Sequence, residues 1–193
     1  MNEVTKYLLI ICWGTFLFVW LIGAIYNYFK VPVKRKKGSI ITAFPLILLL
    51  WLIGIYIPAS YWSLITYENG WLKILGSIVL IIFTIFTIWS RIILGKMWSS
   101  SAQIKENHKL HTEGPYSITR HPIYTGILGM LLGSTLIFGF GVCLFISVCI
   151  FILYKVKINN EEKLLIETFG EEYKDFQKRT PQLFFRLNIF KKS

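Results

Sequence analysis

Residues 108–126 read H-K-L-H-T-E-G-P-Y-S-I-T-R-H-P-I-Y-T-G, the one long polar segment set between apolar runs in this chain. It is crowded with groups that bind anions and polar ligands. Arg120 carries a planar fork that matches a carboxylate bidentately. His121 can donate or accept near neutral pH. Pro122 lacks an N–H and suits the first position of a helix. Tyr124 offers a ring and a hydroxyl, and Gly114 and Gly126 let backbone or ligand come close. A polar segment running straight into an apolar helix sets these groups at a membrane–water boundary. There a water-soluble cofactor can meet a lipid-like substrate.

Working outward, apolar runs flank this segment on both sides. Residues 7–29 form a continuous run, long enough at about 1.5 Å per residue to cross a hydrocarbon core of about 30 Å. The run is too long for a signal-peptide core, lacks a small-residue cleavage site and is followed by a basic loop, so it reads as a membrane helix. Residues 40–58 make a second span that tolerates Pro45, and 71–94 a third with Arg91 near its end, placed to snorkel to the interface. Residues 59–70 between them carry the aromatics of an interfacial belt, Tyr61, Trp62 and Tyr67. Residues 122–138 are apolar but short, so they tilt or re-enter. Gly139–Gly141 reads as a tight turn, and 142–157 return across, closing a short helical hairpin. In the tail, Leu165, Phe169, Tyr173 and Phe176 recur at helical spacing, and Pro181 should stop that helix. The expectation is an all-α integral membrane protein of about five transmembrane helices, the last two a short hairpin, with a cytosolic C-terminal helix. It forms one domain over 1–193, with three spans in 1–94 and a cofactor-binding catalytic half in 95–193.

Composition agrees. The chain is 54% apolar and 17% aromatic, with mean hydropathy +0.56, which excludes disorder and points to the membrane class. A net charge of +11 would suggest nucleic acid in a soluble protein. Here the loops after the first and third spans and the tail, with the span ends that adjoin them, hold all 21 lysines and arginines but Lys6 and Lys73. The positive-inside rule then sets the N-terminus outside and the C-terminus and site in the cytosol, in a multi-pass membrane protein of the plasma membrane with no nucleic-acid partner. Cys12, Cys143 and Cys149 lie in apolar runs and read as small buried hydrophobes.

Two groups of residues could carry chemistry. Alone, Arg120-His121 is more simply an interfacial anchor and a helix cap. Alone, Glu161-Glu162 is more simply a first-turn acidic pair on a tail helix. Together they flank one cleft: Arg120, His121 and Tyr124 where the hairpin begins, Lys157, Glu161 and Glu162 where it ends. A zwitterion with a carboxylate and an ammonium fits between them. His108 and His111, spaced i,i+3, lack the further ligands of a metal site.

The run G-P-Y-S-I-T-R-H-P-I-Y-T-G (114–126), then Glu161-Glu162, then F-G-E-E-Y-K-D-F-Q-K-R-T-P (169–181) resembles the isoprenylcysteine carboxyl methyltransferase family of integral membrane methyltransferases. The resemblance covers roughly residues 91–181. It implies S-adenosyl-L-methionine as cofactor and a lipophilic or lipidated substrate drawn from the membrane. Carried onto matching positions, it implies a cofactor shell of Gln103, His108, Lys109, Leu110, His111, Tyr116, His121, Pro122, Ile123, Tyr124 and Glu161. It implies that Arg120 works at the reacting centre, with Lys157 and Glu162 beside it. Lys157 stands where the family has a substrate-binding Arg, which keeps the charge and loses the fork. A carboxylate acceptor needs no base; a phenol or enol does, and His121 or Glu162 could serve. The competing readings are a nicotinamide-dependent membrane sterol or enone reductase using NADPH, a phospholipid N-methyltransferase, and a non-enzymatic lipid-binding scaffold.

Overall fold

A computed structural model describes residues 3–30, 33–36, 56, 58–67, 69–97, 103–105 and 110–183. Nearly all of the expected second span (40–58) lies outside the described residues, as do His108 and Lys109. Helix α1 (Glu3–Lys30) is followed by strand β1 (Val33–Lys36), short helix α2 (Ala59–Ser63) and helix α3 (Gly70–Leu94). A 3-10 turn (Gly95–Met97), strand β2 (Gln103–Lys105) and the one-turn helix α4 (Pro115–Ile118) come next. Helices α5 (Pro122–Phe138), α6 (Gly141–Phe169) and α7 (Glu171–Arg179) complete the described chain.

The protein is helical because its apolar stretches must satisfy every backbone N–H and C=O internally. Residues 3–26 of α1, all of α3 and all of α6 are long and apolar enough to cross a membrane. They turn large side chains outward: Leu17 and Leu21 on α1, Ile78, Ile85 and Ile92 on α3, Val148, Ile152 and Val156 on α6. Such a surface is costly in water and suits a lipid boundary. Asn69 caps α3, its side chain accepting from the Trp71 N–H at 2.8 Å, and Gly95 ends it at φ +49°.

Helix α5 sits at the centre, with buried residues along its whole length. Twelve of its 17 residues are buried, which is why a short apolar run suffices there. The contact with α3 is very close. A Cβ built on Gly126 would meet Thr87 Oγ1 at 2.0 Å, so the glycine that the sequence offered to backbone or ligand serves helix-to-helix approach. Cys12 and Phe16 of α1 join Leu80, Ile123, Ile127, Met130 and Ile137 in one core. The Trp13 indole N–H donates to Ser134 Oγ at 3.1 Å, binding α1 to α5. All three cysteines are free thiols.

Helix α5 turns into α6 through three successive residues at positive φ, Gly139, Phe140 and Gly141. The turn is held by the loop after α2: the Tyr67 N–H donates to Gly139 O at 2.8 Å and the Gly141 N–H to Ile65 O at 3.2 Å.

Several expectations are revised. The last apolar run does not stop at Lys157. Asn159, Asn160 and the Glu pair continue α6 without a break, so Glu161-Glu162 do not open a tail helix. The break comes at Gly170, at φ +57°, splitting the expected Leu165–Phe176 face between α6 and α7. Helix α7 ends at Arg179, before Pro181. Its first turn carries Glu171 and Glu172 and its last Lys178 and Arg179, as the helix dipole favours. Arg91 does not snorkel. It is 5% exposed, lies against Gly23 of α1, and donates from Nη1 to Gly95 O at 2.9 Å. Finally, β1 and β2 pair antiparallel, a short ribbon that puts the ends of α1 and α3 on the same side of the bundle.

Candidate active site

Between α4 and α5 the chain runs through Thr119, Arg120 and His121, and Pro122 opens α5. Opposite, on α6, Glu161 and Glu162 are neighbours in sequence and therefore about 100° apart around the helix. The two carboxylates have different partners.

Glu162 is 8% exposed. Its Oε1 accepts from Arg120 Nε at 2.8 Å and lies 2.8 Å from Arg120 Nη2 and 3.1 Å from His121 Nε2. Its Oε2 accepts from Gln177 Nε2 on α7 at 3.1 Å. Arg120 Nη1 donates to Gln177 O at 3.2 Å and to Thr180 O. A buried carboxylate is tolerated only when paired and fully hydrogen-bonded, and this one is.

Glu161 faces Tyr124. The Tyr124 hydroxyl donates to Glu161 Oε1 at 2.6 Å, and Glu161 Oε2 lies 3.9 Å from His121 Nδ1. Lys157, one helical turn before Glu161, holds its ammonium 5.3 Å from the centre of the Tyr124 ring. The Tyr154 ring packs on the same ring at 4.8 Å. One aromatic residue thus gathers an ammonium, a carboxylate and a second aromatic around itself.

Tyr116 is buried, with the His111 ring 6.1 Å from its own. Burial pushes its phenol well above the ordinary range, Glu161 adds to that shift, and Arg91 opposes it. It stands as a neutral hydroxyl. Leu110 and His111 are half-buried. Pro122 is fully buried, and Ile123 packs into the core with Cys12 and Phe16, so neither side chain joins the polar cluster. Gln103 lies in β2, away from that cluster in sequence.

The cluster therefore unites Arg120, His121, Tyr124, Lys157, Glu161 and Glu162, as their order in the sequence suggested. The tail was missed. The Arg120 N–H donates to Pro181 O at 2.8 Å and Thr119 Oγ1 to Gln182 O at 2.9 Å. The Gln182 side chain takes Lys155 Nζ and gives to Asn159 Oδ1 at 3.3 Å. Tyr173, 1% exposed, lies beside the Arg120–Glu162 pair, its phenol raised by burial and by the charge of Glu162. The signal was available in principle: Tyr173, Gln177 and Thr180 repeat at i,i+4 and i,i+3.

Residues 74–167, which contain all six clustered side chains, match the sequence profile of the isoprenylcysteine carboxyl methyltransferase (ICMT) family. Through these residues, just under half of the chain, the protein is similar to that family. A protein-S-isoprenylcysteine O-methyltransferase of Schizosaccharomyces pombe is 32% identical over 90 residues, 45% of this chain and 38% of that protein. Protein-S-isoprenylcysteine O-methyltransferase B of Arabidopsis thaliana is 28% identical over 117 residues, 59% of each chain. The cobalt-zinc-cadmium resistance protein CzcN of Cupriavidus metallidurans is 29% identical over 100 residues, 51% of this chain and 46% of that one. The chain thus spans about half the length of the curated relatives it matches. Its fold is similar to that of the eukaryotic intramembrane Ras methyltransferase ICMT, with a TM-score of 0.60 at 20% identity, over 91% of this chain and 66% of that one.

The donor set suits an organic cation better than a metal. Among the described residues no group of three or more His, Cys, Asp or Glu is arranged to hold a metal ion. Glu161 Oε1 accepts from the Tyr124 hydroxyl, and a carboxylate has further acceptor capacity for ammonium or hydroxyl groups. The Tyr124 and Tyr154 rings offer faces to a cation.

Proposed function

We propose that this protein transfers a methyl group from S-adenosylmethionine to a lipophilic acceptor, at the end of the bundle where α5 begins. The observation that carries this reading is Tyr124 held between the Glu161 carboxylate, the Lys157 ammonium and the Tyr154 ring. The match to the family profile and the names of the relatives support it. Glu161 and Tyr124 would hold the donor, with Tyr116, His111 and the backbone near Leu110, Pro122 and Ile123. Gln103, His108, Lys109 and His121 complete the shell that the family resemblance implies. When bound, the donor supplies an activated sulfonium methyl, so the protein's task is to position, orient and exclude water.

In this reading Arg120 and Glu162 are positioning residues. Their polar atoms are turned toward each other, toward His121 and toward the tail, and they fix the floor on which His121 sits. Lys157 faces the acceptor. The apolar outer faces of α1, α3 and α6 let an acceptor with an apolar tail approach through the bilayer. Charge distribution supports a cytosolic site; the plasma membrane as its location and one membrane-embedded unit are part of the same proposal.

Calorimetric titration of detergent-purified protein with S-adenosylhomocysteine, with NADPH in parallel, tests the reading. Micromolar binding of S-adenosylhomocysteine alone is expected. Binding of NADPH alone moves the protein to reductase chemistry, and binding of neither sinks the methyl-transfer reading.

A further inference from the structure

The proposed methyl transfer leaves open what kind of acceptor this site serves. We infer that His121 is a general base acting through Nδ1, and that the acceptor is a protic oxygen, such as a phenol or enol, on an apolar carrier. The inference rests on the methyl-transfer reading above and begins from the His121–Glu162 contact.

A carboxylate accepts hydrogen bonds and does not donate them. The 3.1 Å approach of His121 Nε2 to Glu162 Oε1 therefore puts the ring's proton on Nε2. In the neutral ring this leaves the lone pair on Nδ1. Glu162 cannot drift from this role. Its Oε1 also takes Arg120 Nε and lies against Nη2, and Gln177 Nε2 pins Oε2. With both oxygens committed, Glu162 is not the group that collects a proton; it is the group that orients the ring which does.

Nδ1 points to the other half of the cluster. It lies 3.9 Å from Glu161 Oε2, the carboxylate that Tyr124 also serves. The ring centre is 5.9 Å from that of Tyr124, and the ring is 7% exposed, so water is largely excluded. On that side Glu161 takes the Tyr124 hydroxyl, and the Lys157 ammonium stands over the Tyr124 ring. The charged groups around the imidazole are Glu162 and Glu161 on α6, Arg120 beside it in the chain, and Lys157 across the Tyr124 ring. An imidazole oriented at one nitrogen by a fixed carboxylate, with the other nitrogen open toward the site, is arranged to remove a proton. A carboxylate acceptor has no proton to remove.

The step balances. The acceptor O–H bond breaks and its proton goes to Nδ1. The acceptor oxygen forms a bond to the methyl carbon of the sulfonium donor as the carbon–sulfur bond breaks, and that electron pair stays on sulfur. The products are a neutral methyl ether, a neutral thioether and an imidazolium between Glu162 and Glu161. Release of that proton to solvent restores the ring.

Nitrogen-15 NMR of histidine-labelled protein reads the ring directly, independent of turnover. The chain has three histidines, and His121→Gln assigns the signal. In the neutral ring, His121 should show a protonated Nε2 and an unprotonated Nδ1; the opposite tautomer overturns the inference. The second arm supplies S-adenosylmethionine with 4-dodecylphenol or with dodecanoate. Methylation of the phenol is expected, falling on the order of 100-fold in His121→Gln, whose amide N–H still reaches Glu162. The deficit should remain at saturating S-adenosylmethionine, as loss of a base requires and a weaker hold on the donor alone does not. Methylation of the carboxylate alone or of neither probe, an unimpaired variant, or a rate restored by saturating donor each overturns the role of His121. Wild-type protein that fails to bind S-adenosylhomocysteine defeats the methyl-transfer reading itself, which separates the two failures.

Discussion

Gln177 meets the Arg120–Glu162 pair from both ends: its side-chain amide donates to Glu162 Oε2 at 3.1 Å, and its main-chain carbonyl accepts from Arg120 Nη1 at 3.2 Å. The last described helix is therefore part of the site's wall. Gln177→Ala should leave Oε2 buried without its donor and cost about 1–3 kcal/mol. Limited trypsin digestion is the sensitive measurement, because Lys178 and Arg179 follow directly. Cleavage there should quicken in the variant, and an unchanged digestion pattern would count against the clamp.

Arg120→Ala should be more severe. It strands a carboxylate whose side chain is 11% exposed, a change of the kind that costs about 3–5 kcal/mol. Arg120→Lys should recover only part of the loss, since one ammonium cannot meet Glu162 and two tail carbonyls in the geometry of a guanidinium. Thermal unfolding in detergent ranks the three proteins, and equal melting of the Lys variant and wild type would contradict this account.

The adjacent carboxylates should separate cleanly. Glu161→Gln is expected to weaken S-adenosylhomocysteine binding roughly tenfold, about 1.4 kcal/mol, with melting little changed. Glu162→Gln should lower the melting temperature, because Arg120 and His121 lose a charged partner. Calorimetry and thermal unfolding on the same preparations check the pair, and identical profiles would mean that the two residues do one job.

Gly126→Val should unfold or misassemble the α3–α5 contact. Thr87 Cβ at 2.9 Å and its Cα at 3.1 Å also crowd the position, so Thr87→Ala should rescue only in part. Overpacking of this kind costs about 1–3 kcal/mol or more, and the yield of monodisperse protein is the simplest measure.

Alkaline stability follows from the two buried phenols outside the spans. Tyr116 and Tyr173 both have folded-state values raised by burial. The unfolded chain therefore gives up these protons first as pH rises through about 10, and stability falls from there upward. Tyr173→Phe should flatten that decline. Denaturant midpoints between pH 8 and 11 test it, and a variant with the wild-type slope would exclude Tyr173 as a contributor.

Residues 108–126 and the Glu pair were legible in sequence because their chemistry is local: a polar segment, a Pro that opens a helix, and acids that topology does not require. The six clustered side chains came from that order alone. The tail clamp was not legible, since Gln177 and Gln182 look like ordinary polar residues of an amphipathic end, and their partners are 15 and 27 positions away. Arg91 misled because counting cations by loop says nothing about burial. The end of α6 misled because an apolar run marks where lipid stops, and asparagine, lysine and glutamate continue a helix in water without difficulty.

The unbroken course of α6 has a further consequence. From lipid-facing Ile152 to Glu161 the helix has no cap or glycine, so the two residues are held on opposite faces, about 180° apart around the axis and about 13 Å apart along it. Each residue contributes about 100° and 1.5 Å. Adding one residue between them would swing Ile152 and the lipid-side half out of phase with Glu161; adding four would nearly restore the phase but lift the carboxylate by about 6 Å. The helix thus works as a gauge, fixing how far above the apolar layer a reacting group must stand.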